Sequence, residues 1–327
     1  MQSKEAFNNY FEKELKGSIE VMEAGRLAIN QKFSYKKYGR NLKWMAILCV
    51  ILIISSAALP NYIPKQVVFF IPFTALYALF APIYILIRRN LAFKDIKKAY
   101  KQTIIPKIIS FVSPDLTYDP LKGITEKEFR ASDLCESYSI FNAEDLVQGT
   151  LDNTEIKMSD IKAERSGNKN THTVFYGLYA VVKLNQKFTS RVIIKPTNIM
   201  SVALGALGNK FLGELLTKKI HSKLSSDDNK SGNPEFDKDF DVYCESPEVT
   251  KSLLTPTFTQ LILTFRKEIN TPISLSFFDN EVHLAFHGIN LFEADAHTSF
   301  LEKDISKQYF EYLNLVIGIS QALKATH

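Results

Sequence analysis

Two apolar runs without a charge, Trp44–Ile63 and Val67–Ile87, constrain this chain more than any other feature; the one charge between them is Lys65. Each is about 20 residues long, the length at which a helix rising about 1.5 Å per residue crosses a hydrocarbon core of roughly 30 Å. Trp44 and Tyr62 stand at the ends of the first run, where interfacial aromatics belong. The segment Pro60 to Gln66 is too short for more than a tight turn, and Pro72 and Pro82 predict kinks in the second run. The expectation is a two-helix transmembrane hairpin, with helices at 44–63 and 67–87.

Charge is arranged around those runs. Residues 26–43 carry six basic side chains and no acid; residues 88–107 carry seven, against Asp95 alone. Residues 108–327 hold 23 basic and 29 acidic side chains. Lysines and arginines beside an anionic leaflet are favourable, and their position on the flanks places both termini in the cytoplasm. The expected location is the cell inner membrane, multi-pass, with the lipid bilayer as a partner. The acidic remainder argues against a nucleic-acid binder. Cys49, Cys135 and Cys244 form no C-x-x-C pair, which suits a reducing compartment and predicts that Cys135 and Cys244 are not joined.

In chain order, residues 1–43 read as an N-terminal amphipathic helix with Phe7, Phe11, Leu15 and Ile19 on its stripe. Residues 88–112 read as a basic helical stalk; these two segments either pack antiparallel or lie separately on the domain beyond them. A cytoplasmic α+β domain is expected over 113–327. Asp145–Leu151 and Thr154–Arg165 read as strands joined at Asp152-Asn153. Thr173–Leu184 is apolar on both faces and reads as a central strand; Arg191–Lys195 is a further short strand ended by Pro196. A helix is expected over 200–224 with Lys218, Lys219 and Lys223 near its end, a strand over Phe240–Cys244, and a helix from Pro247 to about Ile269, with Pro256 a kink or a first-turn residue. Ile273–Phe277 and Val282–Phe286 read as a hairpin turning at Asp279-Asn280, with Ile273, Leu275, Phe277, Val282, Leu284 and Phe286 inward, and His283→Asp tolerated if the opposite face is wet. A last helix covers about Thr298–Leu323. The fold class expected is α+β: a mixed or antiparallel sheet with packed helices, preceded by the hairpin.

From about Leu116 onward the chain resembles a bacterial family catalogued as domain-of-unknown-function family 3137. Three stretches carry the resemblance. The first is Phe129-Arg130-Ala131-Ser132-Asp133-Leu134, then Glu144 to Gly149 and Thr154-Glu155-Ile156. The second is Phe175-Tyr176-Gly177-Leu178-Tyr179, running to Val192–Pro196. The third is Phe236 to Tyr243, Leu253-Leu254-Thr255-Pro256 and the segment 273–286. Ser190 and Arg191 stand where a smaller, glycine-containing turn is the family's pattern. The resemblance implies two membrane helices ahead of the domain and implies no activity and no catalytic residue.

Motif readings are sparse. Asp237, Asp239 and Asp241 have calcium-loop spacing with Glu248 at the twelfth place, yet Val242 stands where glycine is needed. His283, His287 and His297 are separated by more than one ion spans: on a strand, four residues cover about 13 Å. Gly205, Gly208, Lys210 and Gly213 lack phosphate-loop order. Glu144-Asp145 suits a turn at a strand entry better than a general base. No catalytic residue, metal site or cofactor is expected. The reading is a membrane-anchored binding or scaffold protein. Its candidate contact residues are Phe7, Phe11, Leu15, Ile19, Lys218, Lys219 and Lys223, and its partner another membrane-associated protein or a second copy. The alternative is an enzyme whose site is assembled from non-contiguous residues.

Overall fold

A strand that is apolar on both faces needs a layer on each side, and residues 171–196 are the clearest such strand. In the computed structural model, the chain is described apart from residue 1, most of 35–64, and residues 152, 168–169, 198–229, 245, 270, 293–297, 302–304 and 326–327. It divides into two units: Met1–Phe11 with Lys101–Glu293 and Asp304–His327, and Glu12–Tyr100 with Ala294–Lys303.

The helices in order are α1 (Lys4–Tyr10), a π turn (Phe11–Leu15), α2 (Lys16–Lys32) and α3 (Lys65–Val112). Next come β1 (Leu116–Asp119), α4 (Glu126–Ala131), β2 (Ile140–Leu151), β3 (Thr154–Ser166) and β4 (Thr171–Pro196). The chain closes with α5 (Pro234–Asp239), β5 (Phe240–Cys244), α6 (Pro247–Leu253), α7 (Pro256–Ile269), β6 (Ile273–His287) and α8 (Ile305–Ala325).

The first unit is built on a six-stranded antiparallel sheet, ordered β1-β2-β3-β4-β5, with β6 also paired to β4. The β2–β3 hairpin forms where the sequence places it, with Leu151 opposite Thr154 and Asn153 at φ 62°. β4 is one 26-residue strand that passes through Ser190 and Arg191 without ending. Its first half lies between β3 and the end of β6; its second half lies between β5 and the start of β6.

β6 corrects the expected hairpin. Its two halves do not pair with each other; both pair with β4, as Leu275 opposite Ile194 and Leu284 opposite Ala180. Asp279, at φ 49°, kinks the strand where the register with β4 shifts. The kink also switches parity, so Leu275, Phe277, Leu284 and Phe286 all oppose even-numbered β4 residues and share one face. That shared face is as expected, but the wet face is not: Ser274, Ser276, His283 and Ala285 are buried as well.

Each sheet face has its own layer. On one, Thr125 and Glu128 form a reciprocal capping box that starts α4, and α4 sets Phe129 against Phe175 and Tyr179 at 5.4 and 4.9 Å between ring centres. On the other, α7 and α8 bring Phe258 against Phe277 and Tyr312 against Phe286, both edge-on. Phe7 of α1 stacks on Phe310 at 4.4 Å and meets Phe111 edge-on. At Gly177 a side chain has no room, since a Cβ would lie 1.9 Å from the Phe286 carbonyl oxygen.

In the second unit, α2 runs antiparallel to α3: Arg89 donates to Asn30 at 3.0 Å, and Gly25 admits Ile96 to 3.4 Å of where its Cβ would stand. Glu23 accepts from Arg26 Nε and Nη2, at 2.9 and 2.6 Å, and from the Phe300 N–H at 3.0 Å. The Arg26 guanidinium holds that carboxyl down at about 2.

The membrane expectation is corrected. The run Val67–Ile87 is the first part of one helix, Lys65–Val112, that continues through Arg88, Arg89 and Lys94. The run Trp44–Ile63 lies mostly outside the described residues. Among the described residues, no helix is long and apolar enough to cross a membrane. The two-helix transmembrane hairpin falls on that finding, and with it the multi-pass inner-membrane placement with both termini cytoplasmic. A charge-free run shows what a segment tolerates, not which elements it builds.

Candidate functional site

The polar geometry of the first unit starts at a bulge. β2 pairs Glu144 with Asp160 and Val147 with Met158, so two residues of β2 stand opposite one of β3. Asp145 absorbs the extra residue in a left-handed conformation, φ 62°, and turns inward. Its side chain is 0% exposed. Lys101 of α3 donates to it at 2.5 Å, and the Tyr118 hydroxyl of β1 donates to its other oxygen. Burial pushes the Asp145 carboxyl up, against the pull of Lys101 and Tyr118. The same burial, with the Asp145 hydrogen bond, holds the Tyr118 phenol well above its ordinary value. Lys101 also lies 3.6 Å from Glu144, so one cation faces two carboxylates.

Asp160 lies across from Glu144 on β3 and is 6% exposed. Its two oxygens accept the Leu291 and Phe292 N–H groups at 3.2 and 2.8 Å. The segment carrying those donors leaves β6 at Gly288, φ 80°, whose N–H bonds the Tyr176 carbonyl at 2.8 Å. Burial pushes the Asp160 carboxyl up to about 8. Between these elements lies a cleft of about 470 Å³, lined by Asn142 and Glu144 of β2, Asp160 and Lys162 of β3, Tyr176 of β4, and Asn290.

Asp160 makes stability depend on pH. Its folded value is above the unfolded 3.8, so its contribution is full below that value and lost as pH rises through about 8. The Asp160 contribution to wild-type stability, read from urea midpoints, is expected to fall across this window, against the opposite contribution of His287, whose lowered value adds stability as pH rises from about 4. Asp160→Asn, which keeps one acceptor but cannot ionise, is expected to flatten the fall. Parallel curves for the two proteins would show that Asp160 does not titrate there.

A second buried network lies on the other sheet face. His283 Nδ1 meets the Tyr179 hydroxyl at 2.8 Å and Nε2 meets Glu281 at 3.0 Å, with Phe278 stacked on the ring. His287 is bonded to Ser274 at 2.9 Å and pushed down to about 4 by burial. Each histidine has its own partner, and His297 lies outside the described residues. Cys135 and Cys244 are both thiols, as expected; burial pushes Cys135 up to about 12, which makes it a poor nucleophile.

The other sequence candidates are scattered. Phe7, Leu15 and Ile19 are buried and Phe11 is half-buried, so this chain's own side chains already cover much of that stripe. Their strict four-residue spacing drifts around an α-helix of about 3.6 residues per turn, and the wider π turn at Phe11–Leu15 takes up the drift. Lys218, Lys219 and Lys223 lie outside the described residues. Asp237 accepts from Ser231 and Asp239 pairs with Arg266 at 2.9 Å, so the calcium-like spacing is spent on local contacts. Among the described residues no group of three or more His, Cys, Asp or Glu could hold a metal. Asp160 was missed because a lone acid in a strand reads as solvent-facing; Glu144-Asp145 was seen, and its role at a strand irregularity is close to the turn role expected.

The model of a family described as "Protein of unknown function (DUF3137)" matches residues 173–325. The family resemblance is supported. The match begins inside β4 and covers Tyr176 and Asn290 of the cleft, but not its β2 and β3 walls. It does not confirm a two-helix membrane anchor. No curated protein matches the chain. Among solved structures, the crystal structure of the mycobacterial trehalose monomycolate transport factor A, TtfA, is similar at 9% identity and a TM-score of 0.33, over 64% of this chain and 92% of that one. A likeness of that size carries no argument.

Proposed function

We propose that this protein is a binding module whose ligand enters the cleft beside the β2 bulge. The observation that carries this is how the acid–base groups are used. Asp160 spends both oxygens on backbone N–H groups, Asp145 spends both on Lys101 and Tyr118, and His283 is held at both nitrogens away from the cleft. A general base must reach the proton it takes, and these groups are committed elsewhere. What faces the cleft is a set of polar recognition groups on a rigid sheet, the arrangement of a small-ligand site.

One observation favours the enzyme alternative: two acidic side chains, Glu144 and Asp160, line one concavity, and Asp160 is perturbed. The test separates the two readings. Thermal-shift screening of the full chain against small polar compounds is expected to yield ligands that saturate, are lost in Tyr176→Ala, and come back chemically unchanged. Conversion of a ligand that Glu144→Gln abolishes would establish the enzyme instead.

A further inference from the structure

We propose that the cleft takes a cationic, donor-rich group, a primary ammonium or a guanidinium, with the Glu144 carboxylate and the Asn290 amide oxygen as its acceptors. This rests on the reading of the cleft as a binding site.

The balance of donors and acceptors points that way. Asn290 Oδ1 is buried and accepts no hydrogen bond among the described residues. A buried acceptor left unmatched is costly; a rotation of the Asn290 side chain toward the cleft would let a ligand N–H relieve it. Glu144 is 53% exposed in its side chain, and its cation, Lys101, stands 3.6 Å away while bonded to Asp145 at 2.5 Å. The lysine that lines the cleft, Lys162, is matched by Glu164 at 2.9 Å. The Glu144 carboxylate is thus left without a full counter-charge, and the unmatched groups are acceptors.

Three ligand classes fare differently against the same geometry. An anion meets the Glu144 carboxylate, and Lys162 is already paired with Glu164. A neutral polyol satisfies Asn290 but gains nothing from the charge of Glu144. An ammonium or guanidinium satisfies both, through charge-assisted hydrogen bonds that are about twice as strong as neutral ones. Tyr176 adds an aromatic ring to the lining, a surface that favours cations. The volume, about 470 Å³, suits a short chain bearing such a group, either a free amine or an arginine or lysine side chain of a partner.

Calorimetric titration of the full chain with four probes tests this: agmatine, the capped tripeptide acetyl-Gly-Arg-Gly-amide, glycerol and butyrate. Agmatine or the peptide is expected to bind, at least tenfold more tightly than glycerol or butyrate. Glu144→Gln, at an exposed position, should weaken that binding at least tenfold, and Glu144→Lys should abolish it. Agmatine binding without peptide binding assigns a free amine; tighter peptide binding assigns a partner's side chain. Agmatine binding that Glu144→Gln leaves unchanged overturns the proposal. Glycerol or butyrate binding as tightly, and lost in Tyr176→Ala, also overturns it while leaving the cleft a binding site. If no probe binds and the wider screen finds no cleft ligand, both readings fail.

Discussion

Replacing Lys101 by methionine is expected to cost the fold about 3–5 kcal/mol at neutral pH, the usual penalty when one partner of a buried ion pair is removed. Asp145 is 0% exposed and its left-handed backbone fixes it in the bulge, so it cannot turn to water. Among the described residues, only the Tyr118 hydroxyl then remains to it. The carboxyl is already raised by burial, and loss of the lysine raises it further. A carboxyl raised above its unfolded value contributes stability that is present at low pH and lost as pH rises through the folded value. The Lys101→Met defect should therefore be smallest near pH 4 and grow toward neutrality. Urea midpoints of both proteins across that range make the measurement. A loss under about 1 kcal/mol, as for a surface pair, or one that does not change with pH, would mean that Asp145 is not buried with Lys101 as its counter-charge.

The range of each interaction decided whether the sequence showed it or hid it. The β2–β3 hairpin was legible because Leu151 and Thr154 pair across a turn of two residues. The helix start at Pro247 and the first-turn place of Pro256 were legible for the same reason, since proline acts on its own backbone, although one helix was expected where α6 and α7 are two. β6 was misread because its kink at Asp279-Asn280 has the chemistry of a hairpin turn. It stays one strand only because β4 shifts register opposite it, between Lys183 and Val192, almost a hundred residues earlier. The cleft was out of reach for a related reason. Its lining comes from β2, β3, β4 and the segment after β6, and no spacing along the chain brings Glu144, Asp160, Tyr176 and Asn290 together. The long apolar runs were the strongest signal in the sequence, and the membrane hairpin drawn from them is the expectation that the described helices overturn.

The last expected result concerns the face of β6 that alternation assigns to water. Leu284 lies opposite Ala180 in the layer under α7 and α8, and Leu284→Asp should abolish cooperative unfolding, at a cost above about 4–5 kcal/mol. Period two alone predicts that His283→Asp, on the opposite face, is harmless. The structure predicts that it is nearly as damaging. His283 is 0% exposed, and its ring bridges the Tyr179 hydroxyl and Glu281 beneath Phe278. An aspartate there is too short to replace both bonds, sets a second carboxylate beside Glu281, and leaves the buried Tyr179 hydroxyl without the histidine nitrogen. Glu281→Gln supplies the control: Glu281 is 29% exposed, and the amide can still accept from the imidazole, so its cost should stay near 1 kcal/mol. Chemical denaturation of the three variants decides the matter. If His283→Asp falls within about 0.5 kcal/mol of the wild type, as a surface change would, then the layer formed by α4 and Phe129 does not cover β6. If it unfolds the protein while Glu281→Gln does not, both faces of the sheet are core, and the alternation in residues 282–286 reflects a polar network sealed inside the fold.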